Sequence, residues 1–342
     1  MQARALVGID LSQETMTVAW WQDHQVFQTA TFPRTEAGYA ELHAWCARKG
    51  VRCAWVMEAT GSLWQAVALA GDGYGYPVYV LNPHRVHTWS QTRGQVAKTD
   101  ALDAALIAEC AWMLRRAGEL HRWAPRAEAL QQLQALLRLR TSAKEQLVRQ
   151  QALVRALREQ GATEALALAE PVLELLADWV KQIEQHIAQW EATHSEWQAV
   201  LGRLRTVPGI GRWGALVLLA EGGDLRWLRD GKAFARYCGL APVVRQSGRR
   251  SGLGYGVCRD GNRWLRRALY LAALSAVRSS GRYKAVYEGL LARGKARKVA
   301  LCAVARRLAL VVYALQRDGV AYDPSRGARG LTSQHRISLR SE

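Results

Sequence analysis

The sequence predicts a mixed α/β domain followed by a long helical segment and a mainly helical C-terminal part, and three observations carry that reading. Short apolar, β-prone runs broken by polar turns are confined to the first 120 residues. Apolar residues at three- and four-residue spacing take over from about Ala127 to Arg205. From about Thr206 onward, Gly-rich loops alternate with basic helical stretches, and the tail after Tyr322 has the composition of a frayed end.

The first strand is expected at Ala5–Asp10 and the second at Thr15–Trp21, separated by the polar turn Leu11 to Glu14. Gln25–Phe32 continues this antiparallel meander as a third strand. Helical spacing over Thr35–Lys49 leads into a short apolar strand at Arg52–Met57. Leu63–Ala70 is helical, and Pro77–Leu81 is another buried strand. Three strands, a helix, a strand, a helix and a strand is the order of a ribonuclease-H-like mixed sheet, although other α/β domains share it. His84–Ala97 reads as a loop, and Thr99 as the cap of a helix running to about Arg116.

In the next region Leu130, Leu133, Leu137, Leu147 and Val154 follow one seam, with Arg140, Lys144 and Gln151 as polar positions on it. Gly161 marks a turn, and Trp179, Ile183, Ile187 and Trp190 repeat the spacing on a return helix. The pattern gives an antiparallel helical hairpin or coiled coil, either packed into a core or standing out as a dimerisation arm. The expected organisation is residues 1–120 as the sheet domain, 121–205 as the helical hairpin, 206–322 as the basic C-terminal part and 323–342 as a flexible tail.

Composition excludes wholesale disorder, since 49% of the 342 residues are apolar and 22% are charged. The net charge of +18 is unevenly placed. Residues 1–100 hold eight basic and eight acidic side chains, residues 101–200 hold 11 and 13, and residues 201–342 hold 28 and 8, giving 0, −2 and +20. Such a surplus is the electrostatic footprint of a polyanionic partner, nucleic acid first. The excess of 39 Arg over eight Lys carries no such meaning, because a GC-rich genome produces it without selection on function. The start MQARALVGID lacks a basic-then-apolar leader, and the longest apolar run, near Ala268–Val277, is about half a membrane span. A cytoplasmic protein without a membrane partner is expected. Six cysteines with no C-x-x-C pair read as reduced, mostly buried thiols, and His43, Cys46 and Cys53 lack the second ligand pair that would make a zinc site.

Four carboxylates stand at informative places. Asp10 ends the first strand, Glu58 follows Arg52–Met57, and Asp100 and Asp103, three apart, share one face of the helix they open. With the first strand central and the strand bearing Glu58 beside it, a helix crossing both brings the four together. Converging carboxylates raise one another's pKa unless cations neutralise them, and hard oxygen ligands suit Mg²⁺ or Mn²⁺. Two such ions about 4 Å apart clamp the attacking and leaving oxygens of a phosphodiester. Taken singly, each acid has a plainer role as turn, strand exit or helix-dipole partner; the set points to metal. Lys98, just before them, is either a phosphate contact or a solvated loop lysine.

The basic part begins with Val207 to Gly211 and then an apolar helix, the form of a helix-hairpin-helix turn in which Gly209 and Gly211 expose backbone N–H groups to a phosphate. A plain Pro-Gly turn between core helices is the alternative. A Gly/Pro-punctuated loop follows, with Ser247 among Arg245, Arg249 and Arg250; guanidiniums there bind phosphate and ease ionisation of a serine hydroxyl. A serine in a basic loop is otherwise a turn residue or a phosphate donor. Arg263, Arg266 and Arg267 open one helix, and Lys295, Arg297 and Lys298 open another. Basic residues at helix starts suit backbone phosphates and carry no base code, unless they are merely a solvated face.

The chain resembles the insertion-sequence-110 family of DEDD transposases, bridge-RNA-guided serine recombinases. The resemblance spans nearly the full length: VGIDLS, VMEATG and KTDALDA in the first part, then VPGIGRWGALVLLAEGGD, YCGLAPVVRQSGRRSG, GNRWLRRAL and RGKARKVALCAVARRL. It implies a RuvC-like domain whose metal-binding quartet is Asp10, Glu58, Asp100 and Asp103, and a nucleophilic serine at Ser247, with Ser251 in a second Ser-Gly as the alternative position. It further implies strand cleavage, exchange and religation through a phosphoserine with Mg²⁺, homodimers pairing into a tetramer, and a structured guide RNA that selects target and donor DNA. Two other classes remain to be separated from this one: a hydrolytic RuvC-like nuclease or junction resolvase, and a non-catalytic nucleic-acid-binding protein.

Overall fold

Alternation along β1 (Ala5–Leu11) sends Leu6, Gly8 and Asp10 to one face of a sheet and Ala5, Val7 and Ile9 to the other. The computed structural model describes residues 3–23, 25–59, 61, 63–93, 99–225, 228–243, 256–257 and 261–325, in two units divided between Pro125 and Arg126. In the first unit β1 runs antiparallel to β2 (Thr15–Gln22), which runs antiparallel to β3 (Gln25–Pro33). On its other side β1 is parallel to β4 (Cys53–Glu58), and β4 is parallel to β5 (Val78–Leu81). The five strands lie in the order β3-β2-β1-β4-β5, so β1 is central.

The two faces of the sheet carry different helices. Ala5, Val7, Ile9 and Trp55 pack with α1 (Glu36–Ala47) and α2 (Trp64–Gly73) through Leu42, Trp45, Val67 and Ala68. Leu6, Ala54 and Val56 pack with α3 (Pro83–Thr92) and α4 (Asp100–Arg116) through Val86, Ile107, Ala108 and Ala111. The first unit is thus mixed α/β, as expected. The stretch expected as a loop after His84 is instead mostly α3. Asn82 caps it, accepting from the His84 N–H at 2.8 Å, and Pro83 occupies its first position. An Asn-Pro pair is a start signal for a helix as well as for a turn, and the helix won here.

The second unit is helical. α5 (Glu128–Gln160) ends at Gly161 in the left-handed conformation, φ 68°, and α6 (Thr163–Thr193) returns along it. After a short 3₁₀ turn come α7 (Gln198–Arg205), α8 (Arg212–Gly222) and α9 (Gly231–Tyr237). A short two-stranded ladder of β6 (Pro242–Val243) and β7 (Gly256–Val257) precedes α10 (Arg263–Ser279), α11 (Gly281–Ala292) and α12 (Arg297–Asp318). Leu130, Leu133 and Leu137 of α5 and Ile183, Ile187 and Trp190 of α6 share one core with α7 to α12. Toward Gly161 the pair is closed by Val154 and Ala169 and leaves Val148, Leu153, Leu168, Val172 and Leu175 exposed. α12 is long and apolar enough to cross a membrane by length and composition, yet Val304, Ala305, Leu308, Ala309 and Val312 place it in this core.

Candidate active site

Gly8 decides how close α4 comes to the sheet. A Cβ at this position would lie 2.0 Å from the Ala104 carbonyl oxygen and 2.8 Å from the Ala108 nitrogen, so only glycine lets the helix backbone rest on β1 here. The sheet-facing row of α4 is Ala104, Ile107, Ala108 and Ala111, all buried. Asp100 and Asp103 extend that row by one turn, and Thr99 starts the helix by accepting the Leu102 N–H. Asp10 lies two residues beyond Gly8 on the same face of β1, and Glu58 lies two beyond Val56 on the same face of β4. One glycine, two strand ends and a helix start therefore bring all four predicted carboxylates to one end of the sheet.

Asp10, Glu58 and Asp103 are half-buried and Asp100 is exposed. The Asp10 carboxyl is pushed up to about 6, by burial first and then by the Asp103 and Asp100 charges, with Glu58 adding a smaller push. Only the Leu11 N–H, which donates to it, opposes the rise. Among the described residues no group of three or more His, Cys, Asp or Glu side chains is gathered closely enough to hold an ion as it stands. The acids feel one another without forming a finished coordination shell. Their chemistry fits a hard divalent cation: every donor is a carboxylate oxygen, and a cation relieves the repulsion that raises Asp10.

Lys98, Arg245, Ser247, Arg249, Arg250 and Ser251 lie outside the described residues. Gly209 adopts φ 85°, and a Cβ on it would lie 2.1 Å from the Ala272 carbonyl oxygen, so this glycine packs against the α10 backbone. Gly211 is exposed, caps α8 and has open space around its Cα. Arg263 is exposed and stacks on Trp264, with 4.7 Å to the ring centroid; Arg266 is half-buried. Arg267 is engaged within the protein, paired with Glu145 at 2.6 Å. Lys295, Arg297 and Lys298 are exposed at the turn into α12. Neither α10 nor α12 has an acid in its first turn, so cations crowd the positive ends of two helices, where a bound anion relieves the repulsion.

Residues 7–160 match a DEDD-type transposase family of the insertion element IS110, and residues 201–288 match the transposase IS116/IS110/IS902 family. The pilin gene-inverting protein of Moraxella lacunata is 28% identical over 331 residues, covering 94% of this chain and 98% of that protein. The 43.6 kDa protein of insertion element IS110 from Streptomyces coelicolor is 37% identical over 35% of this chain and 29% of its own length. A probable family 20 transposase of Pseudomonas aeruginosa is 33% identical over 48% of this chain and 51% of its own length. The chain belongs to the IS110 family of transposases. It is an insertion-sequence transposase, an enzyme of DNA recombination.

The transposase also contains a buried polar centre that sequence reasoning missed. Glu221, on α8, is 3% exposed. It accepts two hydrogen bonds from Arg138 of α5, at 2.8 and 3.1 Å, and one from the Asn262 side-chain amide at 2.8 Å. Asn262 in turn caps α10 by accepting from the Trp264 and Leu265 N–H groups, and its own N–H donates to the Tyr237 carbonyl. Gly261 sits so close to Gly239 that a Cβ would meet the Gly239 nitrogen at 2.1 Å. These bonds fix α5, α8 and α9 to the start of α10. The available signal was Glu221 inside an otherwise apolar helix, which demands a partner.

Proposed function

We propose that this transposase breaks, exchanges and rejoins DNA strands through a phosphoserine at Ser247, with Mg²⁺ or Mn²⁺ held by Asp10, Glu58, Asp100 and Asp103. In this reading residues 1–120 are an RNase H-like (RuvC-like) catalytic domain, residues 121–205 a dimerisation segment and residues 206–322 the basic domain that bears the serine. The observation that carries the proposal is the grouping of four acids on one face, with Asp10 driven to about 6 by burial and by the others. A divalent cation bound there supplies charge neutralisation and Lewis-acid polarisation of the scissile phosphate.

The rest falls to the chain's own groups. The Ser247 oxygen attacks phosphorus, its proton leaves, one DNA P–O bond breaks and a strand hydroxyl is released. The hydroxyl of the exchanged strand then attacks the phosphoserine, reforms a phosphodiester and returns the serine. Bond energy is conserved, so no nucleotide triphosphate is consumed. Arg245, Arg249 and Arg250 neutralise the phosphate beside the serine, while Lys98, Gly211, Arg263, Arg266, Lys295, Arg297 and Lys298 contact backbone phosphates. Such contacts carry no base code, so sequence choice rests with a structured guide RNA pairing to target and donor DNA. The name of the Moraxella relative supports rejoining, because inverting a gene requires every broken strand to be sealed. Exposed Leu168, Val172 and Leu175 on α6 favour a homodimer through the helical pair, two dimers making a tetramer.

Ser247→Ala tests the reading. Incubated with nicked junction DNA, guide RNA and Mg²⁺, the wild type forms a covalent protein–DNA adduct and the variant forms none and cuts nothing. Continued cutting by Ser247→Ala in Mg²⁺ overturns the serine mechanism in favour of hydrolysis by water.

A further inference from the structure

We propose that Cys46 and Cys53 form an oxidisable dithiol site that a hydroperoxide converts to a disulfide. Cys46 lies in the last turn of α1 and Cys53 is the first residue of β4. Both belong to one buried core cluster, and each is the largest influence on the other's thiol. Both are almost fully buried, at 2% and 3% exposure, yet both line an open cavity of about 460 Å³ together with Gly50, Val51, Tyr74 and Tyr76. Two of the lining residues are held by His43, which stacks on Tyr74 at 4.4 Å and is hydrogen-bonded to the Tyr76 hydroxyl at 3.0 Å. A small oxidant that enters this cavity therefore meets two cysteine residues that are otherwise packed in the core.

The pair is chemically asymmetric in the way a reactive dithiol requires. The influence of Cys53 holds Cys46 below the ordinary thiol range, against the opposing effect of burial, and the Lys49 charge adds to it. The influence of Cys46, followed by burial, drives Cys53 up, which makes it the proton-bearing partner. Cys110 and Cys238 provide the contrast: burial is the largest influence on each and pushes its thiol up, and no cysteine is among the groups acting on it. The site is also separate from the carboxylates. Cys53 and Glu58 stand at opposite ends of β4, about 17 Å apart along the strand, and the cysteines belong to the opposite layer.

In the reaction the Cys46 thiolate attacks a peroxide oxygen, the O–O bond breaks, and Cys46 becomes a sulfenic acid with loss of water or an alcohol. The Cys53 sulfur then attacks the Cys46 sulfur, the S–O bond breaks, and water departs with the Cys53 proton. Two electrons pass from the sulfurs to the peroxide. The bridge closes the turn between α1 and β4 into a small covalent ring and ties the helix to the strand.

The test uses the reduced full-length protein, treated in its native state with a small excess of hydrogen peroxide, then alkylated and digested. The expected product has lost two hydrogen masses and yields a peptide linking Cys46 to Cys53, while Cys110 and Cys238 are recovered alkylated after unfolding. Its melting temperature rises, and dithiothreitol reverses the rise. Cys53→Ser stops the sequence at a sulfenic acid on Cys46 that dimedone traps. Recovery of Cys46 and Cys53 as free thiols after peroxide treatment overturns the proposal. So does a 46–53 bridge that appears only when peroxide is added to unfolded chain.

Discussion

Replacing Asp10 with asparagine removes one negative charge while keeping the size of the side chain and an oxygen that can still accept the Leu11 N–H. The rise of Asp10 from 3.8 to about 6 corresponds to about 3 kcal/mol of unfavourable interaction in the ionised state. The side chain keeps part of its surface in water, so a working figure is about 1–2 kcal/mol. The sign follows from linkage. A carboxyl whose folded pKa is raised contributes nothing adverse while protonated, and its penalty grows as pH climbs from about 4 through about 6. Without divalent cations, Asp10→Asn should therefore match the wild type near pH 4 and exceed it above pH 6.5, by a few degrees in melting temperature. Scanning calorimetry in EDTA between pH 4 and 8 measures this directly. Adding Mg²⁺ should then stabilise the wild type and leave the variant unchanged, while recombination by the variant is lost. An Asp10→Asn protein that is less stable than the wild type at pH 7.5, or offset from it by the same amount at every pH, refutes the argument that the carboxylates repel one another.

Gly8→Ala places a Cβ against the Ala104 carbonyl and must push α4 off β1, costing about 1–3 kcal/mol; chemical denaturation measures the cost, and unchanged recombination would show that the α4 approach does not matter. Glu221→Ala leaves Arg138 and the Asn262 amide without their acceptor. It should cost about 2–4 kcal/mol in urea unfolding, below the range for a fully buried pair because Arg138 keeps contact with water. Leu168→Glu combined with Leu175→Glu alters two exposed positions, 79% and 70% accessible, so the melting temperature should hardly move while sedimentation velocity shows loss of self-association. An unchanged oligomer would place the dimer contact elsewhere.

Much of the first unit was legible because its signals are local. The strands read from alternation and β-branched content appear at β1 to β5 within one or two residues, and Thr99 caps α4 as its hydroxyl suggested. The four acids could be placed from strand ends and a helix start alone. What escaped was long-range or ambiguous. Asn82-Pro83 suits a turn as well as a helix start, and only burial of Val86 against the sheet favours the helix. Gly8 and Gly209 carry no local mark of the helices they touch, 96 and 63 residues away at Ala104 and Ala272. The meeting of Glu221 with Arg138 and Asn262 spans 83 and 41 positions, and no periodicity reports such a pairing. For the helical pair, spacing identified the seam but not where the shared core stops, because that depends on which other helices reach it.

Two acids of this chain show what the net charge of +18 conceals. Glu221 is deeply buried and has every reason to be costly, yet Arg138 and Asn262 satisfy it, so its role is to hold helices together. Asp10 is less buried, but the charges acting on it are the three other carboxylates and no guanidinium is among them. A unit shaped by stability alone would place an arginine there, since arginines satisfy acids elsewhere in the same chain: Glu191 by Arg205 and Arg212, Glu184 by Arg140. Leaving four acids together at one sheet end sacrifices folding free energy that a single cationic side chain would restore. The partner suited to that position is a cation from outside the chain, which is why the neutral first unit, and not the basic remainder, is where metal should change stability.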